Sequence, residues 1–277
     1  GPQGLWTATR SICVPSAAPE KTRSTAGSRV ISWRTNIELK RIAPTDLDLL
    51  RRVLDSERVH RPPDIRALQR RLQKERRLYA LVMAADETLS AAPSELLAHV
   101  AVALRPQVAA TLAELMPPSS ADAAEPPVAA PSRASVANFY AISSAVEGAG
   151  LGRQLLERTV RALADEGVAG TFATLSPVPG FAEWYRACSA SERVGCSDEE
   201  RRWVAHLSAA AAAAASKDDG APAALLAGAP PTVAAPMLAL LSQYLSSTHD
   251  GRPLDRVARF HLGNGAQLLD VRFGADA

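Results

Sequence analysis

The sequence predicts an α/β fold, and two observations support this class. A β-branched, aromatic and apolar run at 136–143 precedes a glycine-rich loop and then a helix-like run at 154–164, which gives the order strand, loop, helix. A second apolar run at 170–175 follows that helix, so strands and helices alternate in this part of the chain.

Two helices are predicted ahead of the strands. Thr45 or Asp46 can cap a helix that continues to about Val59, because its leucines and valine recur on one face. The break Pro62-Pro63-Asp64 ends this helix and starts a second one, which continues to about Lys74.

Two short apolar runs, 78–83 and 96–104, predict strands joined as a hairpin by the polar residues 86–93. Leucine and alanine are frequent in the second run, so a short helix is the alternative there. Residues 116–135 are rich in Pro, Ala and Ser and predict a loop or disordered insertion.

The C-terminal part of the chain is predicted to be mostly helical. Residues 189–250 form an alanine-rich helical insertion that includes an apolar helix at 233–245, although the alanine run itself is equally compatible with low-complexity sequence. A helix at 254–261, a Gly-Asn-Gly turn and a last strand at 266–273 complete the prediction.

Residues 1–34 differ in composition from the rest, with five basic residues, many Ser and Thr, and Glu20 alone as an acid. This composition is typical of an organellar transit peptide. The alternatives are a disordered leader or residues left by a protease site at Gly1-Pro2. The sequence therefore predicts a leader or disordered segment over 1–34 and one catalytic domain over 35–277.

Composition excludes several classes of function. The formal charge of +2 is too balanced for a nucleic-acid-binding protein, and no apolar run approaches the roughly 20 residues of a membrane helix. Three cysteines without paired spacing predict neither a disulfide framework nor a metal site. We expect a soluble intracellular protein, with mitochondrial, peroxisomal and cytoplasmic locations left open.

The glycine-rich loop is the candidate ligand site. Glycines let the backbone turn sharply, and the unpaired N–H groups of the following helix attract an anion, so the pattern predicts a cradle for pyrophosphate. The residues assigned to it are Gly148, Ala149, Gly150, Leu151, Gly152 and Arg153. The alternative is a tight strand-to-helix connection that binds nothing, with Arg153 as an ordinary exposed helix residue.

Four segments carry a resemblance to a known family. They are Ser56-Glu57-Arg58-Val59-His60, Asn138-Phe139-Tyr140-Ala141-Ile142-Ser143, Leu175-Ser176-Pro177-Val178-Pro179-Gly180-Phe181 and Phe260-His261-Leu262-Gly263-Asn264-Gly265-Ala266. In this order they resemble the catalytic domain of malonyl-CoA decarboxylases. The element order is that of the acyl-CoA N-acyltransferase (GNAT) superfamily, which implies a mixed sheet flanked by helices.

The resemblance implies decarboxylation of malonyl-CoA to acetyl-CoA and CO2 without a metal or organic cofactor, since coenzyme A is part of the substrate. Ser176 and His261 match the catalytic Ser and His of the family. A serine can hydrogen-bond the malonyl group and a histidine can supply a proton near neutral pH. Judged from the residues alone, Ser176 can equally cap a turn and His261 can equally be a core histidine.

The resemblance also sets the expected partners and the alternatives. Malonyl-CoA and acetyl-CoA are expected to bind, nucleic acid and membranes are not, and a homo-oligomer is left open. The family pattern includes a helical domain before the catalytic one and a Tyr-bearing segment after it, so we expect a catalytic domain incomplete at both ends. A GNAT acyl-CoA transferase and an inactive acyl-CoA-binding protein are the alternative functions.

Overall fold

The computed structural model describes residues 6–12, 37–72, 75–83, 95–116, 135–145, 150–181, 183–185, 202, 205 and 231–273. They fall into two compact units. One, which we call the sheet unit, comprises Cys13–Val108 and Pro117–Phe172. The other, which we call the C-terminal unit, comprises Gly1–Ile12, Ala109–Met116 and Ala173–Ala277.

The sheet unit is built on four antiparallel strands in chain order: β2 (Ile37–Arg41), β3 (Arg76–Met83), β4 (Glu95–Arg105) and β5 (Val136–Ser144). All residues of β4 except its two ends are buried, so this strand is covered on both faces. This double burial explains why its sequence is continuously apolar instead of alternating. The prediction of a strand, and not a short helix, is therefore confirmed for this run.

Three helices belong to the sheet unit: α1 (Leu47–Ser56), α2 (Ile65–Arg70) and α3 (Leu151–Asp165). Asp46 caps α1 by accepting the N–H of Leu49 at 3.2 Å, and Asp64 caps α2 by accepting the N–H of Ala67 at 2.7 Å. These side chains satisfy N–H groups that a helix start otherwise leaves unpaired. Both predicted helices are confirmed, and each ends a few residues earlier than the sequence suggests.

The C-terminal unit holds strand β1 (Trp6–Ile12), which pairs antiparallel with β9 (Gln267–Leu268) and β10 (Arg272–Phe273) and lies next to β6 (Thr171–Pro177). The sequence assigns residues 6–12 to a leader or disordered segment, whereas the structure has a strand here. Strands β9 and β10 pair with residues 6–12 through backbone hydrogen bonds. The composition of residues 6–12 does not reveal this pairing with distant parts of the chain.

The longer helices among the described residues of the C-terminal unit are α4 (Pro231–Ser246) and α5 (Arg256–Gly263). Between them lies a hairpin, β7 (Thr248–His249) and β8 (Arg252–Pro253). Its two turn residues, Asp250 and Gly251, have φ of 52° and 72°, as a two-residue turn of type I′ requires. The predicted helices 233–245 and 254–261 are confirmed, and the predicted last strand is divided into β9 and β10.

Several predictions concern segments outside the described residues: the polar connection 86–93, the loop 117–134 and the alanine run 209–215. Of the predicted helical insertion at 189–250, the structure describes α4, the residues 247–250 that include strand β7, and two isolated positions before α4, so the end of this segment is a hairpin strand and not a helix. Within α4, Met237, Leu241, Tyr244 and Leu245 are buried. No helix among the described residues is long and apolar enough to span a membrane.

Candidate active site

Ser176 and His261, 85 residues apart in sequence, form a hydrogen-bonded pair in the C-terminal unit. The Oγ of Ser176 lies 3.0 Å from Nε2 of His261. Ser176 stands near the end of β6 and is 5% exposed, and His261 lies in α5 and is 2% exposed. The structure thus brings together the two side chains that the sequence singles out for chemistry.

Thr174 extends this pair to a row of three polar groups. Its Oγ1 lies 2.8 Å from Oγ of Ser176, and its side chain is buried. Residues two apart on a strand point to the same face, so the spacing of Thr174 and Ser176 places both hydroxyls together. The sequence analysis did not single out Thr174, although two hydroxyl residues two positions apart in an apolar strand were a usable signal.

Helix α5 holds His261 at its C-terminal end. The helix begins at Asp255, whose Oδ1 accepts the N–H of Ala258 at 2.8 Å. The carbonyl of His261 accepts the N–H of Asn264 at 3.1 Å and that of Ala266 at 3.0 Å. Both helix ends are therefore satisfied, and the imidazole lies in the last turn, where the helix dipole favours a positive charge.

An aromatic cluster fixes the chain where it leaves β6. The ring of Phe181 lies 5.9 Å from that of Trp184 and 5.8 Å from that of Tyr244, and the rings of Trp184 and Tyr244 are 5.2 Å apart. A side chain at Gly180 would overlap the Tyr244 hydroxyl. Glycine at 180 thus allows α4 to pack closely on the segment that follows Ser176.

Tyr244 also links α4 to α5. Its hydroxyl donates a hydrogen bond to Oδ2 of Asp255 at 3.4 Å. Burial, together with the neighbouring Asp255 carboxylate, raises the pKa of Tyr244 to about 12. The hydroxyl consequently keeps its proton near neutral pH and remains a donor to Asp255.

The predicted phosphate cradle is described only in part. Gly148 and Ala149 lie outside the described residues, whereas Gly150 immediately precedes α3 with a left-handed φ of 67°. Glycine adopts this conformation without strain, and no side chain caps α3 at this position. The first-turn N–H groups of Leu151 and Gly152 have no i−4 partner within the helix, as at any helix start.

Arg153 and Leu151, both assigned to the cradle by the sequence, have ordinary contacts within the protein. The Nε of Arg153 donates to Oε1 of Glu157 at 2.8 Å, and the arginine side chain is 65% exposed. This is the geometry of an ordinary helix ion pair at i,i+4. The Leu151 side chain is buried, so only its backbone is positioned for a ligand.

A second buried polar cluster lies in the sheet unit around Glu57. Oε2 of Glu57 lies 3.0 Å from Nε2 of His99, and Oε1 accepts hydrogen bonds from Ser143 Oγ at 3.2 Å and from two backbone N–H groups. Burial acts to raise the pKa of Glu57, but the His99 bond and charge and the N–H groups outweigh it and lower the pKa to about 2. Glu57 is therefore ionised near neutral pH.

The helices and strands, the glycine that precedes α3 and the buried Ser–His pair agree with the α/β, GNAT-like class of protein that the sequence resemblance implies. Comparison with known families is specific. The sequence profile described as "Malonyl-CoA decarboxylase C-terminal domain" matches residues 35–277. The chain belongs to this family, and the resemblance seen in the four sequence segments is confirmed.

Individual relatives of the chain come from the same family. Mitochondrial malonyl-CoA decarboxylases of Anser anser anser and Rattus norvegicus are each 26% identical over 83% of this chain, which corresponds to 46% and 47% of their own lengths. Crystal structures of malonyl-CoA decarboxylase from Rhodopseudomonas palustris and Agrobacterium vitis match with TM-scores of 0.61 each, at 30% and 28% identity. These matches cover 84% of this chain and 53% and 54% of those chains.

Two conclusions follow from these relatives. The predicted α/β class is confirmed by the described helices and strands, and the TM-scores show that the chain shares the fold of the solved malonyl-CoA decarboxylases. The chain spans about half the length of the relatives that it matches.

Proposed function

We propose that this chain catalyses the decarboxylation of malonyl-CoA to acetyl-CoA and CO2, as a carboxy-lyase of malonyl-CoA and fatty-acid metabolism. The observation that carries the proposal is the buried hydrogen bond between Ser176 Oγ and His261 Nε2, at 3.0 Å, in a chain of this family. The two side chains are the reacting groups in the proposal, and Thr174 orients Ser176.

The reaction breaks the bond between the carboxylate carbon and the α-carbon of the malonyl group. The electron pair of that bond passes to the α-carbon and the thioester carbonyl as an enolate, CO2 leaves, and one proton is taken up at carbon. Catalysis therefore requires a donor for the developing oxyanion and an acid for the carbon. A hydroxyl and an imidazole in contact provide both.

In this proposal the contacts divide the proton roles between the two side chains. Ser176 has one hydroxyl proton and two polar neighbours in its own unit, Thr174 at 2.8 Å and His261 at 3.0 Å. Ser176 keeps its proton and donates a hydrogen bond to the thioester oxygen of the substrate, while its own oxygen accepts a hydrogen bond from a protonated His261. Ser176 thereby stabilises the enolate, the imidazolium transfers one proton to the α-carbon, and the neutral imidazole takes up a proton from water.

The phosphates of the substrate are assigned to the start of α3, at Gly148, Ala149, Gly150, Leu151, Gly152 and Arg153. Support for this part comes from the left-handed Gly150 and from the first-turn N–H groups of α3, which have no partner within the helix. In this proposal the backbone does most of the binding, because Arg153 is engaged by Glu157. The reaction as written needs no metal or organic cofactor.

We further propose that malonyl-CoA and acetyl-CoA are the partners of the chain, without nucleic acid or membrane, and that it is intracellular. The oligomeric state of the chain has to be measured separately. The names of the goose and rat relatives place those proteins in mitochondria.

The test is incubation of the purified chain with malonyl-CoA, with acetyl-CoA followed by mass spectrometry. Formation of acetyl-CoA that is lost in Ser176→Ala and His261→Ala, and retained in the exposed-site control His249→Ala, is the expected result. Product that requires an added amine acceptor would indicate an acyl-CoA transferase instead. Binding of CoA without any turnover would leave the inactive acyl-CoA-binding protein as the correct function.

A further inference from the structure

The residue that follows Ser176 is a proline. Strand β6 ends at Pro177, and the chain continues with Val178 and Pro179. Proline has no backbone N–H, so Val178 alone among the three residues after Ser176 has one to donate. The backbone next to the Ser176 hydroxyl is therefore poor in hydrogen-bond donors.

A serine in contact with a histidine is also the arrangement used in nucleophilic catalysis. The 3.0 Å between Ser176 Oγ and His261 Nε2 is short enough for a neutral imidazole to take the serine proton. Oγ would then bond to the carbonyl carbon of a thioester, the carbon–sulfur bond would break, and His261 would pass the proton to the leaving thiolate. Water would hydrolyse the resulting acyl ester, restore Ser176 and release a carboxylic acid.

The proposed decarboxylation brings the site close to this second reaction. Once the imidazolium has given its proton to the α-carbon, His261 is neutral. At that moment the product, acetyl-CoA, is still a thioester and lies beside Ser176. A site that releases intact acetyl-CoA must therefore favour the enolate and disfavour attack by Oγ.

The two reactions differ in the donors that their oxyanions need. In decarboxylation, the Ser176 hydroxyl donates to the oxygen of the enolate. In acyl transfer, Ser176 has lost its proton and is itself the nucleophile, so other groups must donate to the oxygen of the tetrahedral intermediate. In many serine hydrolases one of these donors is the backbone N–H of the residue after the nucleophile. In this chain that residue is Pro177.

We propose, on the basis of the function proposed above, that Pro177 determines the reaction specificity of the Ser176–His261 pair. Because Pro177 withholds the N–H donor, the tetrahedral intermediate of acyl transfer is poorly stabilised. Ser176 then acts as a hydrogen-bond donor and not as a nucleophile, and the thioesters of substrate and product stay intact.

The experiment uses acetyl-CoA, which has no carboxylate to lose. Free CoA is measured with a thiol reagent, and acetylation of Ser176 by mass spectrometry of its peptide. The parent chain should release CoA no faster than Ser176→Ala does. Pro177→Ala restores the N–H and should release CoA about 10²-fold faster than the parent chain, which is the lower end of the effect of one oxyanion donor. The double variant Ser176→Ala/Pro177→Ala should lose this gain.

Pro179→Ala is the matched control. It adds an N–H in the same segment, three residues from Ser176, and should not increase the release of CoA. An equal gain in Pro179→Ala would contradict a specific role for Pro177. Pro177→Gly supplies the same N–H with a more flexible backbone, so that one poorly placed variant does not decide the result.

Decarboxylation of malonyl-CoA is measured in parallel and should be retained in both variants of Pro177. Release of CoA from acetyl-CoA by the parent chain through Ser176 would overturn the role of Pro177 and leave the decarboxylase intact. So would variants of Pro177 that decarboxylate malonyl-CoA without releasing CoA from acetyl-CoA. Loss of decarboxylation in both variants would show that Pro177 positions Ser176 instead. A parent chain that makes no acetyl-CoA from malonyl-CoA would overturn the proposed function as well.

Discussion

One carboxylate, that of Asp255, joins helices α4 and α5. Its Oδ2 accepts the hydroxyl of Tyr244 at 3.4 Å, and its Oδ1 accepts the N–H of Ala258 at 2.8 Å. Asp255 is 1% exposed, so both bonds are shielded from water. Since α5 carries His261, the position of the imidazole depends on how α5 is anchored at its start.

Replacing Asp255 by Ala should lower both stability and activity. The substitution removes the cap of α5 and leaves the buried Tyr244 hydroxyl without its Asp255 acceptor, at a cost of about 2 kcal/mol. We expect kcat for decarboxylation to fall about tenfold or more, while the Kd for CoA stays nearly constant. Urea unfolding and steady-state kinetics measure the two effects.

The matched control is Asp64→Ala, which removes the cap of α2 in the sheet unit. It should cost about 1 kcal/mol in stability and leave kcat unchanged. An equal loss of kcat in both variants would show that activity follows overall stability and not the position of α5.

The close packing of Gly180 against Tyr244 should be measurable as a coupling free energy between substitutions at the two positions. Gly180→Ala places a methyl group against the Tyr244 hydroxyl, which forces the packing of α4 to shift and should cost about 1–3 kcal/mol. Tyr244→Phe should cost about 1 kcal/mol through the lost bond to Asp255. In the double variant the methyl group has more room, so the total loss should be smaller than the sum of the single losses.

A double-mutant cycle by chemical denaturation gives this coupling free energy directly. Additive losses would mean that the contact is relieved by backbone movement and is not a fixed feature of the fold. Gly263→Ala is a suitable reference, because no atom of the described residues lies within 4 Å of the position that its methyl group would take.

Substitutions in the Ser176–His261 pair should slow the chemical step and leave the binding of CoA nearly unchanged. Ser176→Ala and His261→Asn are expected to lower kcat by about 10²- to 10⁴-fold, because each removes one of the two reacting groups. The Kd for CoA, measured by calorimetry, should change little. The control is Ser246→Ala, which removes an exposed hydroxyl that donates to the Ser242 carbonyl at 2.9 Å within α4, and it should keep full activity.

The sequence predicted the helices near Asp46 and Asp64 well, because caps and apolar periodicity are local properties of the chain. Strand β2 was missed. Only Ile37 and Leu39 are apolar in it, and only Ile37 is buried, as is usual for a strand at the edge of a sheet. The hairpin β7–β8 was missed because two-residue strands carry no periodic pattern, although Asp250-Gly251 was a turn signal.

The residues of the candidate site were likewise predicted only in part. Ser176 and His261 were selected by family resemblance, whereas local pattern left each of them with an ordinary structural alternative. Their 3.0 Å contact arises from tertiary packing across 85 residues, which no short-range rule encodes. Thr174 was missed although its place two residues before Ser176 on one strand is a local signal. Asp255 has the local role of a helix cap, and only packing brings it to Tyr244.

Two groups of the sheet unit should make the protein sensitive to acid. The pKa of Glu57 is lowered from 4.5 to about 2, and burial lowers the pKa of His60 from 6.5 to about 4 against the opposing charge of Glu57. In both cases the unfolded chain binds protons at a higher pH than the folded chain does. Stability is therefore complete above the unfolded values and decreases as pH falls.

The expected unfolding free energy first declines between pH 6.5 and about 4 through His60, and then between pH 4.5 and about 2 through Glu57. The Glu57 shift corresponds to about 3 kcal/mol. Glu57→Gln should therefore be less stable than the parent chain at pH 7, and the two curves should converge near pH 2.

His60→Gln should flatten the upper part of the profile, whereas the exposed His249→Gln should not. Urea unfolding at a series of pH values measures these curves, and parallel profiles for Glu57→Gln and the parent chain would exclude an ionised Glu57 as the source of the lower slope.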